Sequence, residues 1–412
     1  MSKGLQIIEF AQGIAGPMAG ARLVELGASV IKIEGAEGDW LRGAAPAMPD
    51  NNGESGGDSA SFFHLNRGKR SLALGPNPAS ARALFDALLH KADVLITDRS
   101  DEELRALGLE DLCEDAYLPN PRLVRVHISP LGRHGPIRNY QGSELTSQAM
   151  AGYTRYLGTH GQPARRLGAD VASTGTGMFA VQAVLAAIFA RGRTGKGQRV
   201  DLSLLNSLLS MKSIHIAAQC DPDVYAGPRV GGANFPPERG WKTRDEPIFF
   251  SFGGSVGAEG RPGWVEFVKE IGAEHLLQDK RFDHRGRNST GHGTDVNALR
   301  QVYEKEFARF SADTLVDIIR KHTGNAARYM RADETVAHAQ TVALGIVQDV
   351  PGRDGSSQRV RGFPVRFSRL KPQIQGVAPR LGEHTAEIAR DAGFAEDVVS
   401  QLVEKGALRL VA

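Results

Sequence analysis

An alternation of β-rich and helical runs over the first 130 residues constrains this fold more than any other feature. "LQIIEF" and "SVIKIE" flank the helical run "PMAGARLVELG", and Gly27 closes that helix, so the unit reads β-α-β. The pattern continues through "RSLAL", the helix "ASARALFDALLHKA", the strand candidate "DVLITD", a further helix and the strand-like "RLVRVHIS". Strands that alternate with helices demand a parallel sheet covered on both faces, hence an α/β class. A Gly/Ala/Pro/Asp-rich loop from Gly35 to about Ser59 interrupts the series.

At 412 residues the chain exceeds one comfortable core, so two domains are expected. Composition changes at "YAGPRVGGANFPPERGW", which reads as loop. The strand "PIFFSF" and the helices "PGWVEFVKEIG" and "VNALRQVYEKEFARF" follow. The expected division is a large domain begun by 1–224, a smaller one at 225–335, and a segment 336–412 returning to the first. Fifty Lys+Arg against 47 Asp+Glu give a net charge of +3, without the concentrated basic face of a nucleic-acid or membrane-surface protein. Two cysteines, Cys113 and Cys220, fit a reducing cytoplasm. The longest apolar block, Met178 to Ala190, falls short of the roughly 20 residues of a bilayer span and reads as a buried helix.

Several stretches carry candidate chemistry. "FAQGIAGPMAG" follows a strand and opens a helix, but Gly13, Gly16 and Gly20 do not form G-x-G-x-x-G. That helix start serves either an anionic phosphate or strand–helix packing. "GRTGKGQ" lacks the spacing of a Walker A loop and lies at a helix C-terminus, where exposed carbonyls repel phosphate. In "LNRGKRSL", Arg67, Lys69 and Arg70 form either a solvated loop or an anion clamp. His275, Asp279, Asp283, His284 and His292 match no metal spacing, so no metal site is expected. Asp170 precedes a Ser/Thr/Gly turn and the helical run Gly177–Arg191. It is either an N-cap or a carboxylate nucleophile helped by backbone N–H groups at the helix start.

The chain as a whole resembles the family III CoA-transferases, the group of formyl-CoA transferase, carnitine CoA-transferase and α-methylacyl-CoA racemase. The resemblance is carried in order by "IAGPMAGARLVELGASVIKIE", "LNRGKRSLAL", "LHKADVLITD", "NPRLVRVHISPLGRHGP", "GTGMFAVQAVLAAIFARGRTGKGQRVDLSLL", "LLQDKRF" and "FPVRFSR…APRLGEHTAEI". It implies a large Rossmann-like domain with a parallel sheet, a smaller α+β domain and an interlocked homodimer. It also implies that coenzyme A and acyl-CoA are substrates together with a small carboxylic acid, with no permanently bound cofactor and no nucleic-acid or membrane partner.

Transferred residue by residue, the resemblance makes Asp170 the covalent nucleophile, passing through an aspartyl–acyl anhydride and an aspartyl-CoA thioester. An ungapped alignment on D-x-x-x-G-M instead puts Ser173 at that position. Gly231 and Gly232 in "RVGGANFPPERGW" match the family's covering glycine loop. Ile14, Ala15, Lys69 and Arg70 match CoA-contacting positions, while Asp98 and Arg99 replace the family's Asn and aromatic residue and Gly35 replaces an arginine. Racemases of the group carry a G-H-D histidine; here the stretch reads "QGSELTSQAMAG", with Ser143 and Glu144. Transferase chemistry is therefore expected, with a racemase or isomerase and a non-catalytic homologue as the alternatives.

Overall fold

The computed structural model describes residues 4–49, 55–113, 119–154, 163–212, 240–253, 262–279, 296–353, 355–374 and 376–410. The chain divides into two compact units, one built from 1–154, 166–211 and 340–412, the other from 155–165 and 212–339. The large unit ends earlier, at 211, and resumes slightly later, at 340, than composition suggested. The run "RVDLSLL" is a strand followed directly by a helix, and chain departure falls within that helical region.

In the large unit the elements run β1 (Gln6–Phe10), α1 (Ala15–Glu25), β2 (Ser29–Glu34), α2 (Ala60–Asn66), β3 (Arg70–Leu74), α3 (Arg82–Lys91), β4 (Val94–Thr97), α4 (Asp101–Ala106), β5 (Val124–Ser129), α5 (Glu144–Met150), α6 (Val171–Thr194), β6 (Arg199–Ser203) and α7 (Leu204–Met211). These six strands are parallel in the order β3-β2-β1-β4-β5-β6. A short strand at Leu408–Arg409 joins the β3 edge antiparallel. The order reverses between β1 and β4, where open α/β sheets leave a crevice beyond the strand ends.

Period-two alternation explains why helices cover both sides. In β1, Ile7 enters a core with Ala19, Leu23, Val94, Val126, Ala180 and Val184, under α1 and α6. Its neighbour Ile8 enters another with Ile31, Leu72, Leu84, Phe85, Leu88 and Ile388, under α3 and the C-terminal helix Thr385–Ala392. Burying each such side chain stabilises the fold by about 1.5–3 kcal/mol before chain entropy is subtracted.

Helix α6 begins earlier and ends later than its apolar block. By length and composition it would reach across a bilayer, but Ala172, Thr176, Ala180, Val184 and Ala187 are buried within the unit. Gly177 permits its closest approach to α1: a Cβ there would lie 2.7 Å from the Ala15 carbonyl oxygen and from Met18 Cβ.

The smaller unit pairs Ile248–Ser251 antiparallel with Asn325–Arg328, accompanied by helices Pro262–Glu270, Val296–Phe307 and Ala312–Lys321. Its α+β core is aromatic. Phe250 lies 5.2 Å, centroid to centroid, from both Tyr303 and Phe307, and 5.5 Å from Trp241, while Trp264 Nε1 donates to Tyr303 Oη at 2.8 Å. Phe250→Ala is expected to destabilise this unit by about 3–5 kcal/mol, because the rigid rings around it cannot close the cavity. Denaturant unfolding followed by fluorescence of Trp241 and Trp264 measures it; a loss below about 1 kcal/mol would mean that the site collapses freely.

Candidate active site

The crevice at the strand-order reversal is framed by the turn after β1 and the turn after β4. Gln12 N donates to Asp98 Oδ2 at 2.9 Å, joining the two turns directly. Gly13 N donates to Asp39 at 2.9 and 3.1 Å, and Gly13 holds φ +70° against the Trp40 ring, where a Cβ would come within 2.6 Å of Cζ2. Ile14 and Ala15 then open α1. Four of the expected CoA-contacting residues, Ile14, Ala15, Asp98 and Arg99, are thereby collected at one end of the sheet.

Beneath this turn runs a buried network of charges. Lys32 Nζ reaches Ala11 O at 2.9 Å, Asp39 Oδ2 at 2.9 Å and Glu9 Oε1 at 3.2 Å. Burial alone would lower the Lys32 ammonium, yet Glu9, Asp39 and Glu34 outweigh it and raise it above the ordinary lysine value. Lys69 Nζ bonds Glu9 Oε2 at 2.7 Å, Asn66 Oδ1 at 2.9 Å and Pro17 O at 3.0 Å. Burial, aided by Lys32, pushes Lys69 down to about 8 against the pull of Glu9.

The geometry corrects the expectation that Lys69 meets a CoA phosphate. Its side chain has no exposed surface, and its ammonium is bonded inside the protein. Arg70 is likewise engaged, with Glu387 at 2.8 Å and Asp391 at 2.7 Å. The stretch "LNRGKRSL" is thus an internal tie and not a free anion clamp.

Asp98 is held by the Gln12 amide, and burial moves its carboxyl above the ordinary value, although Arg99 pulls the other way. The Arg99 guanidinium contacts Asp98 at 3.0 Å and Glu103 at 3.1 Å and lies 5.4 Å from the centre of the Phe10 ring. Just beyond, Ser100 and Glu103 cap α4 reciprocally.

Asp170 stands at the N-cap position of α6, but its side chain makes no cap hydrogen bond. It is 42% exposed and meets Arg166 Nη2 at 3.3 Å. The cap comes from Glu144, 26 positions before Asp170. Glu144 accepts from Ala172 N at 2.8 Å, Ser173 N at 2.7 Å, Ser173 Oγ at 2.6 Å and Gln148 Nε2 at 2.8 Å. Burial opposes ionisation of Glu144, but bonds from Ser173, Gln148 and the helix amides hold its carboxyl below the ordinary value. Of the two readings of Asp170, the simple side-chain cap is therefore excluded. Ser173, the ungapped match to the family's nucleophile, is buried and spends its hydroxyl on Glu144.

Sequence reasoning noticed Glu144 only as the replacement for a histidine. The available signal was negative: the first turn of α6 holds no acidic residue, so its free N–H groups need a carboxylate from elsewhere. A depressed carboxyl stabilises the fold above its unfolded value of 4.5, and that contribution is lost as pH falls through the folded value. Glu144→Gln is expected to lower the thermal midpoint at neutral pH and to flatten its fall on acidification. Midpoints recorded for both proteins across that range test this; parallel curves would contradict it. Gly231 and Gly232 lie outside the described residues. Among the described residues, no three His, Cys, Asp or Glu side chains are grouped to hold a metal.

Residues 3–385 match the family described as CoA-transferase family III. An acyl-CoA transferase of Fusarium pseudograminearum is 30% identical over 422 residues, covering 98% of this chain and 87% of that protein. The succinate–glutarate CoA-transferase of Agrobacterium fabrum is 29% identical over 394 residues, covering 93% and 94%. The crystal structure of a CAIB/BAIF family protein from Brucella suis aligns with a TM-score of 0.79 at 26% identity, covering 95% of this chain and 98% of that one. With a matching family over nearly all its length and relatives aligned end to end, the chain belongs to CoA-transferase family III.

Proposed function

We propose that this CoA-transferase moves CoA from an acyl-CoA thioester to a small or medium free carboxylic acid in the cytoplasm, with Asp170 as the covalent carboxylate. The observation that supports the assignment is a partly exposed carboxylate at the start of α6 that is not spent on capping. A nucleophile must keep a lone pair free, and Asp170 is tied only to Arg166 among the described side chains.

The Asp170 carboxylate attacks the thioester carbonyl; the C–S bond breaks, and CoA leaves as the thiolate. The resulting mixed anhydride is attacked at the aspartyl carbonyl by that thiolate, releasing the donor acid and forming an enzyme thioester. The acceptor carboxylate attacks this thioester and expels the thiolate again. Attack of the thiolate on the acceptor's carbonyl gives the new acyl-CoA and restores Asp170. Ile14, Ala15, Asp98 and Arg99 receive the CoA, and the Gly231–Gly232 stretch covers the intermediate. The interlocked homodimer belongs to the same proposal. Met178, Leu185 and Phe189, exposed along one face of α6, offer a second copy an apolar surface.

A second carboxylate stands at the same helix start, with its lone pairs engaged. The N–H groups of Ala172 and Ser173 are held by Glu144, which makes Glu144 the other carboxylate at this helix start. Incubation with a panel of acyl-CoAs, intact mass measurement and peptide mapping decide between them. A CoA adduct on Asp170 is the expected result, an adduct on Glu144 transfers the role, and an adduct that persists in Asp170→Ala overturns the assignment.

A further inference from the structure

The turn after β4 is held from behind by a histidine that the transfer chemistry does not use. In the register of the sheet, His127 of β5 lies between Thr97 of β4 and Asp201 of β6. Its side chain is buried, and Nε2 lies 2.8 Å from the Arg99 carbonyl oxygen. A carbonyl only accepts, so Nε2 carries the proton and donates it. Arg99 N in turn donates to Thr97 Oγ1 at 3.1 Å, and that hydroxyl donates to Phe10 O at 3.0 Å. Both backbone groups of Arg99 are thereby fixed, the amide by Thr97 and the carbonyl by His127.

The other ring nitrogen, Nδ1, is buried with no hydrogen-bond partner among the described residues. Left unprotonated, it forgoes one accepted bond. A proton there would bury both an unsatisfied N–H and a charge. The charged groups around the ring are already engaged with one another. Arg133 pairs with Asp101 of α4 and lies 3.8 Å from Asp201, which Arg199 meets at 3.1 Å and His134 at 3.9 Å. The Arg99 guanidinium is taken by Asp98 and Glu103. Burial foremost, then Arg133, holds the imidazole below its ordinary 6.5, although the Arg99 carbonyl, Asp201 and Asp101 pull the other way.

We infer that His127 is a positioning residue for the turn that receives CoA: its Nε2–H holds the Arg99 carbonyl and so sets where Asp98, Arg99 and the start of α4 stand. The inference rests on the reading that CoA is received at this turn. A ring that releases Arg99 and enters water takes up a proton more readily than the buried one, so acid favours the loosened turn. With the folded value depressed, the tie is at full strength above 6.5 and is lost as pH falls through the folded value.

The test titrates free coenzyme A into the full chain by calorimetry, from about pH 7.5 down to about pH 5.5, with three variants. His127→Ala is expected to weaken CoA by about tenfold at the upper pH, the loss of the one bond that holds the carbonyl. His127→Gln can still donate to that carbonyl but takes up no proton. It is expected to return the affinity to within about threefold of wild type and to flatten the acid weakening that wild type shows below 6.5. The CoA phosphates titrate alike in every titration, so the difference between the curves belongs to the histidine. Arg99→Ala tests the CoA reading separately. Unchanged CoA affinity in Arg99→Ala removes CoA from this turn and overturns both readings. Weakened CoA in Arg99→Ala beside wild-type affinity in His127→Ala overturns the inference alone. If His127→Ala does not fold, His127→Gln decides: an acid weakening parallel to wild type overturns the inference, and a flattened one supports it.

Discussion

Asp170→Ala is expected to lower kcat/KM for CoA transfer by about a thousandfold or more, while the thermal midpoint barely moves. The two halves of that expectation have one structural cause. Losing Asp170 removes the group that carries the proposed anhydride, and such losses run to three or more orders of magnitude. The same side chain makes no cap hydrogen bond and, among the described residues, meets only a half-exposed arginine at 3.3 Å, a contact worth little in water. Ser173→Ala is the companion variant. It removes one bond to Glu144 and leaves Asp170 untouched, so most of the activity should survive. Initial rates with matched donor and acceptor acids, alongside thermal unfolding, provide both readouts. Wild-type turnover in Asp170→Ala would end the assignment.

Glu9→Gln is expected to destabilise the large unit by about 3–5 kcal/mol, because it removes the carboxylate that two buried ammonium groups share. Lys32 keeps Asp39 as a partner, but Lys69 loses its only acidic contact at hydrogen-bond distance among the described residues. The damage should reach beyond stability. Through these lysines the network grips Ala11 O and Pro17 O, and Asp39 grips Gly13 N, so it positions the whole entry to α1. A higher KM for acyl-CoA with a smaller change in kcat is therefore expected of the folded fraction. Urea unfolding measures the first effect and steady-state kinetics the second. A stability change under about 1 kcal/mol would show that the network relaxes around the loss.

How much of this was legible in the residues depends on the range of each interaction. Strands β1, β2, β4 and β5 were readable because apolar side chains on both faces produce near-continuous β-rich runs. The start of α6 was placed late. Val171–Thr176 mixes β-branched residues with glycine, and its helical state depends on a carboxylate that reaches in from α5. The destination of Lys69 was hidden for a similar reason. Its partner Glu9 lies 60 residues away, and only the parallel order of β3, β2 and β1 brings the two together. Position in the chain marked Lys69 as basic and near a turn, but it could not say which way the side chain would face. The cap on α6 belongs to the same class: Asp170 occupied the right position for a cap, and the distant Glu144 took the bonds.

The contact at Gly177 has a lasting consequence for how such a protein can change its diet of acids. With no side chain on Gly177, the helix that opens the crevice and the helix that carries Asp170 are braced against each other there, glycine against the Ala15 carbonyl and Met18. The span between the start of α1 and Asp170, the proposed nucleophile, is thereby set by this tight packing. New acyl groups must be accommodated by reshaping the surrounding loops, because widening that brace would pull both partners of the reaction apart at once.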